Sequence, residues 1–248
     1  MLPYEAFAAC YDALMVDVDY ETWAGYVTRL IRQNGVPDNT LLDAACGTGS
    51  LSVLLSKAGF MVTGADASPE MLGRAAGKAR MQGQTIEFVC QDLRAISLHR
   101  QVSVVNCSLD GVNYLITAED IEKFFACASR ALKPGGLLLF DVSTPYKFEN
   151  IIGEGTFADE TENAAYIWFN EYEAESGICT MQLTLFVKES DACYRRSEEE
   201  HVQRAHTLYE LEQALQKAGL KSLGAYSFLS TDPAGENDER WQIVARKV

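Results

Sequence analysis

Residues 41–66 read LLDAACGTGSLSVLLSKAGFMVTGAD. An apolar run is followed by a glycine-bearing bend, an amphipathic stretch, a second apolar run and a closing acid. That order is strand, tight turn, helix, strand, with Asp66 where the second strand ends. Gly47 and Gly49 open backbone conformations closed to other residues and let a ligand approach the main chain. The bend feeds a helix N-terminus, whose unpaired N–H groups can face a polar or anionic group. Asp66 then stands beside the crevice as ribose-binding acids do in nucleotide folds, so the stretch reads as a nucleoside site.

Two details choose the nucleoside. Dinucleotide sites favour G-x-G-x-x-G, but here the third position is Ser52, and an extra acid, Asp43, lies four residues before Gly47. A pyrophosphate would be repelled by that carboxylate, whereas the ammonium of an amino-acid tail would suit it. On these residues the sequence resembles the class I methyltransferases that use S-adenosylmethionine, whose first motif is an acid, three residues, then G-x-G. The resemblance is close over about residues 36–143 and includes a Lys133-Pro134-Gly135-Gly136 turn before the apolar run LLLFDV.

Outward from this stretch the alternation continues. Strands are expected at about 40–45, 61–65, 85–90, 102–107 and 137–142. Helices are expected at about 49–58, after the Ser68-Pro69 start signal, and from Thr117, with Ile121, Phe124, Phe125, Ala128 and Leu132 on one face. Strands alternating with helices give a doubly wound α/β fold, a parallel sheet covered on both faces. A helix over 20–34 with Tyr20, Trp23, Val27, Leu30 and Ile31 on its apolar face precedes the first strand. Near the other end, Thr207 and Glu210 form a capping box for a helix that stops at Gly219. Strands at about 221–229 and 240–247 then complete the seven-stranded, mostly parallel sheet that the resemblance implies. Between these parts the pattern changes to residue-by-residue alternation, read as an antiparallel β-meander of three strands over 164–204. The expected division is an N-terminal helical lid (1–35), a cofactor-binding core (36–148 and 205–248) and an inserted meander capping the substrate (149–204).

Ligands of such sheets bind beyond the C-terminal strand ends, here Asp43, Asp66, Asp92, Cys107 and Asp141. The resemblance implies that Asp66 takes the ribose hydroxyls and Asp92 the adenine amino group, with Leu93 beside it. It likewise gives the turn from Ala45 and Cys46 through Gly47 to Gly49, near Asp43, to the methionine tail. Ala67 and Met71 would flank the adenine, and Cys107 would be wall. In the resembling enzymes the segment before the first strand often covers the active site, which makes Tyr11 and Trp23 candidates for a cover whose aromatic faces attract a sulfonium.

Methyl transfer from a sulfonium is an in-line displacement, so the protein must hold an acceptor atom about 3 Å from the methyl and exclude water. An accepting nitrogen must be neutral, or an oxygen partly deprotonated, so a nearby base helps, and no metal is needed. The segment after the fourth strand supplies candidates: Asp110 to orient or deprotonate an amine, Asn113 and Tyr114 to position it. His201 and His206 are secondary candidates. Asn106-Cys107-Ser108-Leu109 lacks the Pro-Pro-aromatic motif of enzymes that methylate nucleobase amines, and no proline precedes Cys107 as base carbon methylation would require.

Composition sets the outer limits. With 248 residues, 48% hydrophobic and 23% charged, the chain is an ordinary globular protein with one substantial core. Its net charge of −14 would repel a nucleic acid on average. No run of about 18 uncharged apolar residues offers a membrane span. The acidic start has no signal-peptide pattern, so a cytoplasmic protein is expected. The seven cysteines form no C-x-x-C pair, so neither a disulfide framework nor zinc is expected. Residues 149–187 hold eight acids and no lysine or arginine, which reads either as a solvated face or as a field drawing an amine into a pocket walled by Tyr146, Phe148 and Trp168.

The whole layout resembles small bacterial methyltransferases and is similar to sugar-amine and glycine or sarcosine N-methyltransferases. The expected function is methyl transfer from S-adenosylmethionine to nitrogen or oxygen of a small molecule, with an amine as a candidate acceptor and S-adenosylhomocysteine as product. The expected assembly is a monomer or homodimer. The rivals are a non-catalytic S-adenosylmethionine-binding sensor and an NAD(P)-dependent oxidoreductase, which Ser52 and Asp43 disfavour.

Overall fold

Apolar residues on consecutive strand positions point to opposite faces of a sheet, so a strand such as Leu41-Leu42 or Val104-Val105 has to be covered on both sides. The computed structural model, which describes residue 4 and residues 7–190 and 193–248, meets this demand with two helical layers. After a short turn α1 (Tyr11–Leu14), helix α2 (Tyr20–Asn34) starts at Asp19, whose side chain accepts the Thr22 N–H. It ends at Gly35, where φ is +67°. Then follow β1 (Thr40–Ala44), α3 (Ser50–Lys57), β2 (Met61–Asp66), α4 (Pro69–Met81), β3 (Glu87–Cys90), β4 (Val102–Cys107), α5 (Ala118–Ala131) and β5 (Leu132–Ser143). Ser68 and Thr117 cap α4 and α5 with their side-chain oxygens.

The five strands β1 to β5 pair in parallel. On one face Leu41, Val104, Leu137 and Leu139 pack with Val27, Leu30 and Ile31 of α2 and Leu51 and Leu55 of α3. On the other, Leu42, Val105, Leu138 and Phe140 pack with Ile121, Phe124, Phe125 and Ala128 of α5. Lys133 to Gly136, expected as a turn, form a bulge inside β5. Val102 pairs with Leu132 but Val104 with Leu137, which leaves the intervening residues looped out. Gly136 sits there because a Cβ would lie 2.9 Å from the Ser103 carbonyl oxygen.

After β5 comes a short helical turn, α6 (Pro145–Lys147), and then a separate antiparallel sheet of β6 (Thr156–Glu160), β7 (Ala164–Glu173), β8 (Ile178–Ser190) and β9 (Cys193–Arg204). The meander therefore has four strands rather than the three expected. β6 was hidden because all five of its residues are exposed, so it has no buried face and no alternation to read.

Helix α7 (Leu208–Lys217) opens with the capping box of Thr207 and Glu210. The hairpin of β10 (Leu220–Ser227) and β11 (Arg240–Lys247) then closes the first sheet in the order β10-β11-β5-β4-β1-β2-β3, with β11 antiparallel to both neighbours. Among the described residues no helix is long and apolar enough to cross a membrane.

Candidate active site

The bend after β1 is held in left-handed backbone, with φ of +55° at Ala45, +54° at Gly47 and +72° at Gly49. Gly49 cannot be enlarged, since a Cβ there would meet the Ala75 Cβ at 2.9 Å. Asp66, at the end of β2, accepts the N–H of Gly47 at 2.8 Å and that of Ser68 at 2.9 Å. Burial pushes its carboxyl above the usual range, against those two bonds. Beside this pair opens a crevice of about 570 Å³, bordered by Ala45, Cys46, Gly47, Asp66, Ala67 and Met71. Asp92 and Leu93 line its far side, and Tyr4, Tyr11 and Tyr20 line it from the N-terminal segment.

Asp43 does not line the crevice. It is buried behind the bend, where its carboxylate accepts from Ser52 Oγ at 2.5 Å and Asn106 Nδ2 at 2.9 Å. Burial pushes it up to about 6 against those bonds. The position that breaks the dinucleotide pattern, Ser52, is thus the donor that satisfies the buried acid. Gly49 lies beneath the surface, as does Cys107, which packs under Gly111 where a Cβ would come within 2.7 Å of its sulfur. Asp92 is already engaged: Arg94 donates to it from Nε at 2.8 Å and Nη2 at 2.5 Å, and this guanidinium holds its carboxyl below the usual range.

A second cavity of about 410 Å³ lies across the segment that follows β4. Phe7, Trp23, Tyr166, Trp168, Met181 and Leu183 wall it, the last four coming from the antiparallel sheet. Asp110, Ser143, Lys147 and Arg240 form its polar floor, and Tyr4, Tyr11, Leu109 and Tyr114 line both cavities. Trp23, expected over the cofactor, therefore belongs to the second cavity, whereas Tyr11 reaches both. Tyr146 lines neither, and Phe148 is buried in a small apolar cluster with Cys179 and Met181.

Leu109 and Asp110 are left-handed, with φ of +65° and +63°, and their N–H groups both point to Asp141, at 2.7 and 3.2 Å. Arg240 bridges Asp110 and Asp141 through Nη1, and Nη2 donates to Asp110 Oδ2 at 3.1 Å. Burial opposes charge on Asp110, but Arg240 and Lys147 outweigh it and hold the carboxyl below its usual range. The arginine also lies 5.3 Å from the Trp23 ring centroid and 5.5 Å from that of Phe228. Asp110 is thus an ionised, engaged group rather than a free base.

Asn113 lines neither cavity. Its amide donates to the carbonyls of Ser143 at 3.0 Å and Arg204 at 2.9 Å, tying the segment to β5 and β9. Tyr114 stands at the junction, its hydroxyl 2.6 Å from that of Tyr4 and 3.1 Å from His201 Nδ1. His201 Nε2 lies 3.1 Å from Glu199, whose carboxylate also accepts the N–H groups of Tyr4 and Phe7, each at 2.9 Å. His206 is buried away from both cavities, and burial pushes it down to about 4. Arg240, Lys147 and Glu199 were not singled out in the sequence. The one usable signal was Arg240 as the only basic residue between Lys221 and Arg246, at the end of an acidic turn.

The crevice fits an adenosyl ligand. It offers a carboxylate acceptor for hydroxyl donors, exposed main chain at a bend, apolar Ala67, Met71 and Leu93 for a flat ring, and tyrosine faces for a cationic sulfur. A doubly wound sheet with a glycine bend on one strand and an acid on the next defines a nucleoside-binding α/β protein. Comparison with known proteins makes this specific. The family described as "Methyltransferase domain" matches residues 41–136. A protein of Geobacillus sp. (strain WCH70), provisionally named a methyltransferase, is 34% identical over 247 residues, covering 99% of this chain and 100% of its own. A crystal structure of an S-adenosylmethionine-dependent methyltransferase from Clostridium acetobutylicum ATCC 824 superposes with a TM-score of 0.88 at 31% identity, covering 98% of each chain. Over a shorter span, 103 residues at 37% identity, the chain matches the glycine/sarcosine N-methyltransferase of Halorhodospira halochloris, covering 41% of this chain and 38% of that one. The chain belongs to the class I S-adenosylmethionine-dependent methyltransferases.

Proposed function

We propose that the chain methylates a nitrogen or oxygen atom of a small molecule held in the second cavity. One observation carries this reading: the cofactor crevice and the aromatic-walled cavity share Tyr4, Tyr11, Leu109 and Tyr114 as lining, so groups held in each approach one another there. When bound, S-adenosylmethionine supplies a methyl already activated on a sulfonium. The protein then has to bind, align and dehydrate. The crevice residues Ala45, Cys46, Gly47, Asp66, Ala67, Met71, Asp92 and Leu93 hold the cofactor, with Asp43 and Gly49 fixing the bend from behind. Tyr11 excludes water from the junction.

Tyr114 is the residue we assign to the acceptor atom. Burial raises its phenol, so at neutral pH it keeps its proton and can hydrogen-bond an incoming nitrogen or oxygen. Its contact to His201, backed by Glu199, gives a proton a route away from the junction. Asp110 and Asn113 act by position, fixing the turn that carries Tyr114. The partial match to a glycine/sarcosine N-methyltransferase supports nitrogen as one acceptor atom.

The test is S-adenosylhomocysteine release on incubation with S-adenosylmethionine and a panel of small amines, amino acids, phenols and carboxylic acids, with mass analysis of the products. Methylation at nitrogen or oxygen of at least one compound is expected. Tight cofactor binding with no methylated product across the panel would turn the reading toward a sensor.

A further inference from the structure

The second cavity offers one cationic donor that is held by no ion pair among the described residues. Lys147, on its floor, has one long hydrogen bond among the described residues, 3.4 Å to Ser143 Oγ, and no ion pair with a described carboxylate. Of the acids acting on it, Asp110 is taken by Ser143 and Arg240, Asp141 by Arg240 and two backbone N–H groups, and Glu239 is exposed. Burial pushes the Lys147 ammonium below its usual range, against the pull of Asp110. A largely buried ammonium without an ion pair costs free energy that a ligand's anionic acceptor atoms recover.

Charge narrows the ligand further. On the floor Arg240 and Lys147 stand with Asp110, and Arg240 also pairs with Asp141, which lies outside the lining. A monoanion facing Lys147 adds one negative charge, a phosphate dianion adds two beside Asp110, and a cation at that point meets the like charge of Lys147. The acids of residues 149–187, a candidate field for drawing in amines, are all exposed, and none lines the cavity.

We propose that the methyl acceptor is an apolar or aromatic molecule carrying a carboxylate, which Lys147 binds, while the aromatic walls hold its apolar part and the nucleophilic atom lies toward Tyr114. This rests on the reading of the second cavity as the acceptor's place. A lysine ammonium is a point-charge donor for such a group, and the apolar walls hold the remainder.

Three probes of one shape test it: 3-phenylpropanoate, 3-phenylpropanamide and 3-phenylpropylamine, titrated calorimetrically into the protein saturated with S-adenosylhomocysteine. The carboxylate is expected to bind at least about tenfold more tightly than the other two, on the scale of one charge-assisted hydrogen bond. Lys147→Met should erase that difference while leaving S-adenosylhomocysteine affinity unchanged, which also certifies its fold. Lys147→Arg should keep most of it. Equal binding of the carboxylate and the amide, tighter binding of the amine, no measurable heat with the carboxylate, or a preference that survives Lys147→Met would each overturn the proposal. If Lys147 is instead a base, Lys147→Arg and Lys147→Met lose turnover alike and the probes show no preference for the carboxylate. Turnover of an uncharged acceptor without head-group preference would spare the proposed reaction and end the carboxylate assignment. Preference for the carboxylate with no turnover of any acceptor would do the reverse.

Discussion

Asp66 accepts the backbone N–H of Gly47 across the gap between two neighbouring strands, at 2.8 Å. The acid that ends β2 therefore fixes the bend that follows β1, and the two halves of the cofactor crevice are one hydrogen-bonded unit. Removing the carboxylate takes away the group proposed for the ribose and the brace of the bend together.

Asp66→Ala should weaken S-adenosylhomocysteine binding by about 1 to 3 kcal/mol, the range for a lost hydrogen bond to a charged group plus an unsatisfied partner. Asp66→Asn, which keeps one acceptor oxygen, should lose less. Isothermal titration of the two variants checks this, and unchanged affinity in Asp66→Ala would remove the ribose role.

Gly47 and Gly49 should respond unequally to alanine. Both are left-handed, which costs a non-glycine residue about 1 to 2 kcal/mol. At Gly47 nothing lies within 4 Å of the added Cβ, whereas at Gly49 it meets Ala75 at 2.9 Å. Gly47→Ala should lose about that strain alone in urea unfolding. Gly49→Ala should lose more, with weaker cofactor binding, because α3 and α4 have to move apart.

Asp43 should leave its mark on the pH dependence of stability. Its folded carboxyl is pushed up to about 6, above the roughly 4 of an unfolded chain. The folded state therefore binds this proton more tightly, and stability falls as pH rises from about 4 to about 6, by on the order of 3 kcal/mol, and is level above. Asp43→Asn removes this contribution. The stability of the variant minus that of the parent, followed by urea unfolding, should rise across that window.

Arg240→Met should strip the cation from buried Asp141 and half-buried Asp110 and cost about 3 to 5 kcal/mol at neutral pH. In the parent, Asp110 is held below its usual range, so its contribution is present above about pH 4 and lost as pH falls through its folded value. In the variant the sign reverses: buried acids without the guanidinium take up protons readily, and the deficit should shrink as pH falls toward about 5. A deficit independent of pH would point to lost packing on Trp23 and Phe228 instead.

The sequence disclosed what local periodicity and spacing encode. Leu41-Leu42 and Val104-Val105 demand two covered faces, Ser68-Pro69 and Thr207 to Glu210 mark helix starts, and Asp66 lies at a fixed interval from Gly47. It concealed what depends on long-range pairing. Arg240 meets Asp110 and Asp141 across 130 and 99 residues, and Glu199 meets Tyr4 across 195. No pattern around Lys147 tells of the cavity that α6 places it in. β6 was silent for the opposite reason: a strand exposed at all five positions has no inside to announce. Asp43 shows how a position can be singled out while its surroundings are not, since only the folded chain sets Ser52 and Asn106 on its two oxygens.

Parallel strands all deliver the same end to the same edge, and here β2 brings Asp66 there, β5 brings Asp141, and the turn after β4 brings Asp110. A sixth strand in the same direction would add one more terminus of that kind. Because β11 runs the other way, it is its first residue, Arg240, that arrives opposite Ser143. Reversal of a single strand is thus how an edge crowded with anions acquires its counterion, and a chain with that hairpin inverted would have to import the positive charge from elsewhere.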